Sequence, residues 1–597
     1  MLFTRSAPLA LSALVFGCGI AVAAEARPDL GPNVLIVDPS QPATQVEAAI
    51  DRVYSVQQHN EFGPERNAIL FLPGDYHLQV PVGFYTDVRG LGATPDAVHI
   101  TGDVHADASL PKDNATCTFW RALENFSVTP RGGAQTGTMQ WAVSQAAPLR
   151  RMHIHGDLVL HQHRGWASGG WMSDTLVDGQ VDSGTQQQWI SRNSDWARWS
   201  GANWNMVFVG VPHAPPTSWP EPGYTTVDRT PVIREKPYLR VSSRGRWSVV
   251  VPPLRTDSTG ISWQAGAAVG REIPLERFYI ARPGRDTAAT MNAQLAKGRH
   301  LLLTPGIYDL TAPLRVTKPG TVVLGLGFAT LRPTQGTAAM TTADVDGVSI
   351  AGVLVDAGPV LSPVLMQVGP PAVRPHVSKA RAGLVRARTN PIALFDVFFR
   401  DGGATEGKTV GNLEVNADGT LIDHTWIWRA DHGHEVGWTM NLSQNGLVVN
   451  GDDVTAYGLF VEHHQQFQVL WNGERGRTYM YQSEIPYDPP TQAAYSSAPS
   501  VEGWASYKVA DSVAQHEAWG LGIYSVFRYP NVWLTRAVEA PVAHGVDFHD
   551  LITVCLLNHG GIRNIVDQSG GAATCEPRNW PRLTSFPGGD SGAGGLR

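Results

Sequence analysis

Charge is scarce in this chain. Asp, Glu, Lys and Arg make up 17% of its 597 residues, and 46 basic against 53 acidic side chains leave a formal charge of −7 with no basic run. That balance argues against nucleic acid as a partner, since phosphate backbones call for clustered Lys and Arg. Long apolar runs are missing beyond the opening "MLFTRSAPLALSALVFGCGIAVAAEA", so no later segment supplies the ~20 residues a membrane span requires. The opening itself has Arg5, an apolar stretch and small residues ending at Ala21-Val22-Ala23. It reads as a cleaved secretory signal over residues 1–24, with the mature protein extracellular or periplasmic. No Gly-x-Ser-x-Gly elbow, phosphate loop or dinucleotide fingerprint occurs, and neither a cofactor nor a metal is expected. Cysteine is rare as well. With Cys18 in the leader, Cys117, Cys555 and Cys575 remain; they allow either one bridge, between the neighbours Cys555 and Cys575, or three buried thiols.

What is present is a phrase written twice. "LFLPGDYHLQV" from Leu70 returns as "LLLTPGIYDLTA" from Leu301. Each copy follows a segment with helical apolar spacing, Val46, Ala49, Ile50 and Val53 before the first and Met291 and Leu295 before the second, and each is followed by a Gly-Leu-Gly stretch that includes Gly90 or Gly325. Conserved order over this length argues for two homologous halves.

Downstream of each copy the helical spacing stops. Segments such as "ALFDVFFRDGG", "GTLIDHTWIWRADHG" and "NGLVVNGDDVTAYGLFVEHH" are short β-branched or aromatic strands bounded by Asn, Asp and Gly. Long apolar runs without a hairpin rhythm favour parallel coils over a sandwich. The expected class is all-β: two tandem right-handed parallel β-helices packed side by side, each with a short N-terminal capping helix. The expected boundaries are 25–249 for the first, a Pro/Gly-rich linker at 250–274, and 275–597 for the second with its C-terminal tail.

Nineteen Trp residues suit a cleft in which flat rings stack on sugars, although most single rings belong to the core. Glycosidic hydrolysis needs a carboxylic acid for the leaving oxygen and a second polar centre for water or a nucleophile. Among the acidic residues of the second half, Asp452 and Asp453 read as turn residues and Glu474 as a solvated charge. Glu462 in "GLFVEHH" and Glu484 in "YMYQSEIPYDPP" each follow an aromatic-rich strand.

Four phrases in order, "WAVSQAAPLRR" from Trp141, "ASGGWMSD" from Ala167, "VEHHQQFQV" from Val461 and "QSEIPYDPP" from Gln482, resemble those of glycoside hydrolase family 55, the tandem β-helix β-1,3-glucanases. The resemblance covers most of the mature chain. It implies Glu484 as general acid; Glu462, Gln145 and Ser168 holding the attacking water; an inverting reaction on β-1,3-glucan or a related β-glucan; and a cleft at the junction of the halves. Trp438, Tyr487, Trp171, His463 and Trp519 are the candidate sugar contacts. The chain is expected to act as a monomer on a polysaccharide or oligosaccharide. Val461 and His464 replace small residues beside Glu462, which points to an altered pocket.

Other constellations weigh less. "RADHGHEVGW" offers Asp431, His432, His434 and Glu435, but without His-x-x-x-His spacing or a further ligand cluster it reads as a polar turn lining the cleft. His516 and Glu517 fit substrate contact or coil packing equally. A polysaccharide lyase or a non-catalytic glycan-binding β-helix is the alternative function. The lyase would be expected to carry Lys, Arg or calcium-binding Asp clusters where this chain has Glu, Gln and Trp.

Overall fold

The computed structural model describes residues 27–133, 136–264, 269–371 and 389–588; the leader and the last nine residues lie outside them. Two parallel β-helices follow one another along the chain. A nine-stranded sheet running from Val34–Val37 to Tyr224–Val227 forms one side of the first, with an eight-stranded sheet beside it. A twelve-stranded sheet from Phe278–Ala281 to Arg582–Phe586 and another eight-stranded sheet build the second. The expected capping helices are α1 (Ala43–Gln57) and α2 (Ala288–Ala296). Helix α1 lays Val46 and Ile50 on the first core, and α2 lays Met291 and Leu295 on the second.

The repeated phrase has a mechanical reading. Tyr76 donates its hydroxyl to the carbonyls of Val37 (3.2 Å) and Leu72 (2.6 Å). Tyr308 does the same to Ala281 (2.8 Å) and Thr304 (2.9 Å). Gly74 and Gly306 sit at φ +149° and +148°, where a Cβ would meet Pro39 at 2.8 Å and Pro283 at 2.4 Å. Each copy thus locks the first coil of one helix, and glycine is required because proline crosses so close.

Residues 250–274, expected as a linker, contribute strands. Leu254–Ser258 pairs antiparallel with Thr230–Arg234, and Arg271–Pro274 joins Trp247–Val251. Ile273, together with Leu239 and Val249 of the sheet it joins, packs with Leu302 and Leu324 of the second helix. Cys555 and Cys575 are bonded to each other, so the bridged alternative holds, and Cys117 is free.

The long sheets of the two helices face each other, which explains strands that are buried on both sides. In Ala393–Asp401, Leu421–Arg429 and Thr455–Glu462 every residue is buried. Alternation along a strand sends Val397, Ile427, Leu459 and Val461 into the second helix and Phe398, Trp426, Trp428 and Phe460 into the junction. Period two from Phe460 therefore delivers Glu462 to the junction. The same count from Met480 through Gln482 delivers Glu484 at the end of Gly476–Glu484.

Candidate active site

The residues that end these strands close on a cavity of ≈ 500 Å³ between the two helices. Glu462 and Glu484 occupy consecutive coils, because Phe460 pairs with Gln482 in parallel register. Beyond Glu462 the chain turns at His463, whose φ is +67° and whose N–H donates to the Glu484 carbonyl at 2.8 Å. From the first helix come Gln145 and Ser168, also on consecutive coils: the Ser168 N–H donates to the Oγ of Ser144 at 2.8 Å.

Glu462 joins the halves. Its Oε1 accepts from Gln145 Nε2 at 2.8 Å and its Oε2 from Trp426 Nε1 at 2.7 Å. Gln145 Oε1 stays buried without a partner, an acceptor ready for a water proton. Glu484 is half-buried, and its carboxylate accepts the Tyr487 hydroxyl.

Among the described residues no cation contacts either carboxyl directly, and burial dominates both. It raises Glu462 to about 7, against the opposing Trp426 N–H bond. Glu484 is raised well above the ordinary carboxylate range by burial first, then by the charges of Glu462 and Asp431. Glu462 holds two N–H donors, so it ionises first and Glu484 keeps its proton. Nearby, burial opposes ionisation of Asp431, yet its bond to His432 and the His463 ring hold it well below the usual range. His432 is correspondingly pushed up to about 12, against burial, by Asp431, Cys117 and Glu61.

Gln145, Ser168, Glu462, His463, Glu484 and Tyr487 all line this cavity. The other expected sugar contacts, Trp171, Trp438 and Trp519, do not. Trp171 is fully buried, stacked on His424 (centroids 5.1 Å apart) and covered by Arg150. Trp438 packs edge-on against Tyr495 beside Arg429, and Trp519 stacks on His549 at 3.8 Å. Trp171 has no face left open, while Trp438 and Trp519 are half-buried and lie outside the cavity lining. The cavity's aromatic walls are instead Phe119, Trp166, Trp204, Trp426, Trp428 and Trp580. For Trp426 and Trp428 a signal existed, their i, i+2 spacing on one strand face. Val461 and His464 also point elsewhere: Val461 lies in the second core, and the buried His464 bonds Ser443 Oγ at 2.8 Å. These departures lie in the coil interior and are not part of the cavity lining. His516 is buried against Trp471, and Glu517 bonds the Tyr479 hydroxyl, both coil packing. Asp431 and His432 do line the cavity.

Residues 278–484, ending at Glu484, match the LAM55 pectate lyase-like domain. The chain is 45% identical over 562 residues to an exo-β-1,3-glucanase of Streptomyces sp. (strain SirexAA-E / ActE), covering 94% of this chain and 90% of the relative. The solved structure of sacteLam55A from Streptomyces sp. SirexAA-E superposes with a TM-score of 0.88 at 45% identity, covering 94% of this chain and 99% of the other. A glutamate-to-alanine variant of sacteLam55A in complex with glucose matches equally well. Tandem parallel β-helices, four ordered motifs and identity sustained across both halves lead to one conclusion: the chain belongs to glycoside hydrolase family 55, the group that carries the LAM55 pectate lyase-like domain.

Proposed function

We infer that this protein is an exported glycoside hydrolase that cleaves β-1,3-glucan with inversion, acting as a single chain. The observation that carries the reading is Glu462 bonded across the junction to Gln145, one coil from a Glu484 that burial keeps protonated. In this reading Glu484 protonates the glycosidic oxygen as the bond breaks. Glu462, ionised, takes a proton from a water that also contacts Gln145 Oε1 and Ser168. The water adds to the anomeric carbon from the opposite face, so no covalent sugar–enzyme intermediate forms. The aromatic walls hold the sugar by stacking. A relative at 45% identity named an exo-β-1,3-glucanase supports both the linkage and attack from a chain end. The Cys555–Cys575 bond supports export, since such bonds persist in oxidising compartments.

Proton NMR in the first minutes of laminarin hydrolysis tests the stereochemistry. The α-anomer is expected before mutarotation, and an initial β-anomer overturns the inverting assignment. Unsaturated product from a uronate polymer, read by absorbance, would favour the lyase.

A further inference from the structure

The polar turn after Leu421–Arg429 lacks a further ligand cluster in its own sequence, but the fold supplies one from the other half. Glu61 lies in the loop after α1, and Cys117 lies ahead of the strand Arg121–Glu124. With His432 they place a carboxylate oxygen, a thiol sulfur and an imidazole nitrogen within 4.8 Å of one another. The arrangement is well braced. Phe62, next to Glu61, packs edge-on against the His432 ring (5.5 Å) and stacks on Trp428 (6.2 Å), and a Cβ on Gly433 would meet the Phe62 ring at 2.8 Å. The Tyr85 hydroxyl donates to the Glu61 carbonyl at 2.5 Å.

The two ring nitrogens of His432 have separate partners: Nε2 faces Glu61 Oε1 at 2.7 Å, and Nδ1 faces Asp431 Oδ1 at 2.9 Å. A carboxylate on the far nitrogen is the usual way a metal-bound imidazole is oriented. Cys117 is a free thiol beside the same ring. Around a tetrahedral zinc ion with bonds of roughly 2.0–2.3 Å, ligand atoms sit about 3.4 Å apart, so small side-chain rotations close this triad on an ion. Cys117 and His432 line the same cavity as Glu484.

The geometry points to a binding site for a thiophilic divalent ion, Zn²⁺ or Co²⁺, formed by Glu61, Cys117 and His432 across the junction, with Asp431 orienting the imidazole. Binding displaces the thiol proton and the Nε2 proton of the ring, while Nδ1–H stays with Asp431; the ion therefore releases two protons and binds more tightly as pH rises. It ties residues 61 and 117 to residue 432. Two protons leave as one doubly charged ion enters, so the net charge is unchanged; the ion and its remaining ligand take up space where a sugar would sit, so the occupied protein is inhibited and chelation restores it. The site stands independently of the hydrolase reading, since its primary readout is spectroscopic.

Protein treated with chelator and then titrated with Co²⁺ should develop a near-ultraviolet thiolate-to-cobalt band that saturates at one equivalent and is discharged by Zn²⁺. Cys117→Ser should abolish the band, and Asp431→Asn should weaken binding roughly 10–100-fold. The surface cluster Asp96, His153 and His155 also brings possible ligands together; a His153→Ala/His155→Ala variant should keep the band in full. Absence of a thiolate band in the folded unsubstituted protein overturns the proposal, and this titration decides even where a variant fails to fold. A band that survives Cys117→Ser overturns it equally.

Discussion

Two groups of carboxylates lie along one junction and meet opposite fates. Asp396 and Asp423 sit among cations. Arg150 reaches both at 2.8 Å, Arg192 reaches Asp423 at 2.9 Å, and Lys236 reaches Asp396 at 3.0 Å. Although burial alone would favour its neutral form, the Arg150 and Lys236 charges hold Asp396 well below the usual range. Buried Glu462 and half-buried Glu484 lie beside the same junction with N–H and O–H donors as their partners among the described residues, and both are raised. Burial is common to both groups, so the partner decides the outcome. With cations a carboxylate fastens the helices together, and without them it stores a proton.

The largest effect that can break this comparison is catalytic. Glu484→Gln keeps the shape and removes the proton, so hydrolysis of a natural glucan should fall by a factor on the order of 10²–10⁴. A nitrophenyl glucoside needs little protonation and should lose much less, provided the unmodified enzyme accepts it. Glu462→Gln disturbs the water, so it should be equally damaging on both substrates. Rescue of Glu462→Gln by the good leaving group would reverse the two roles.

Next in size is the cation-rich group. Arg150→Met strips Asp396 and Asp423 of a shared partner in a buried setting. It should lower unfolding stability by about 3–5 kcal/mol, read as a shift in denaturant midpoint. A shift below about 1 kcal/mol would show that water or Lys236 compensates.

A smaller effect concerns pH. Glu462 has its folded value raised from 4.5 to about 7, so the folded state holds a proton that the unfolded chain has shed. Its stabilising contribution is complete below pH 4.5 and is lost as pH rises through about 7. Asp396, lowered from 3.8, has the opposite sign: its contribution is present above that value and is lost on acidification. Glu462→Gln should therefore flatten the decline of stability across pH 4.5 to about 7 and leave the acid limb alone. Denaturant midpoints across that window check this. Hydrolysis itself should fall on the alkaline side as Glu484 loses its proton.

The smallest expected effect is a control. Arg332 and Asp309 form an ion pair at 2.6 Å on the surface, where solvent screens it. Arg332→Met should cost less than about 1 kcal/mol. A loss as large as that of Arg150→Met would mean that burial does not separate the two classes.

Much of the fold was legible in the sequence because it is local and repeated. The Pro-Gly-x-Tyr-x-Leu phrase encodes a turn, a proline crossing and a tyrosine lock within one coil, and the sequence shows it twice. Strand runs without alternation foretold sheets covered on both faces, as Ala393–Asp401 shows. The residues at 250–274 were harder to read. Their Pro and Gly suggested a passive join, while their apolar side chains belong to an antiparallel sheet that packs with the second helix.

The sequence by itself determined the two-helix plan, the strand ends that carry Glu462 and Glu484, and the phrases that place the chain in its family. These depend on residues within one coil or on motifs that keep their order. Only the tertiary structure decided what each side chain meets. Trp171 and Trp426 are both junction-facing tryptophans, yet one is covered by Arg150 and His424 while the other donates to Glu462. Val461 and His464 adjoin the Glu462-His463 pair in sequence but face the coil interior: Val461 because alternate residues of a strand point to opposite sides, and His464 because the chain has turned at His463. Glu61, Cys117 and His432 are distant in sequence and converge only where the two helices dock. Periodicity along a chain fixes which face a residue takes, and docking of the two helices fixes what that face touches.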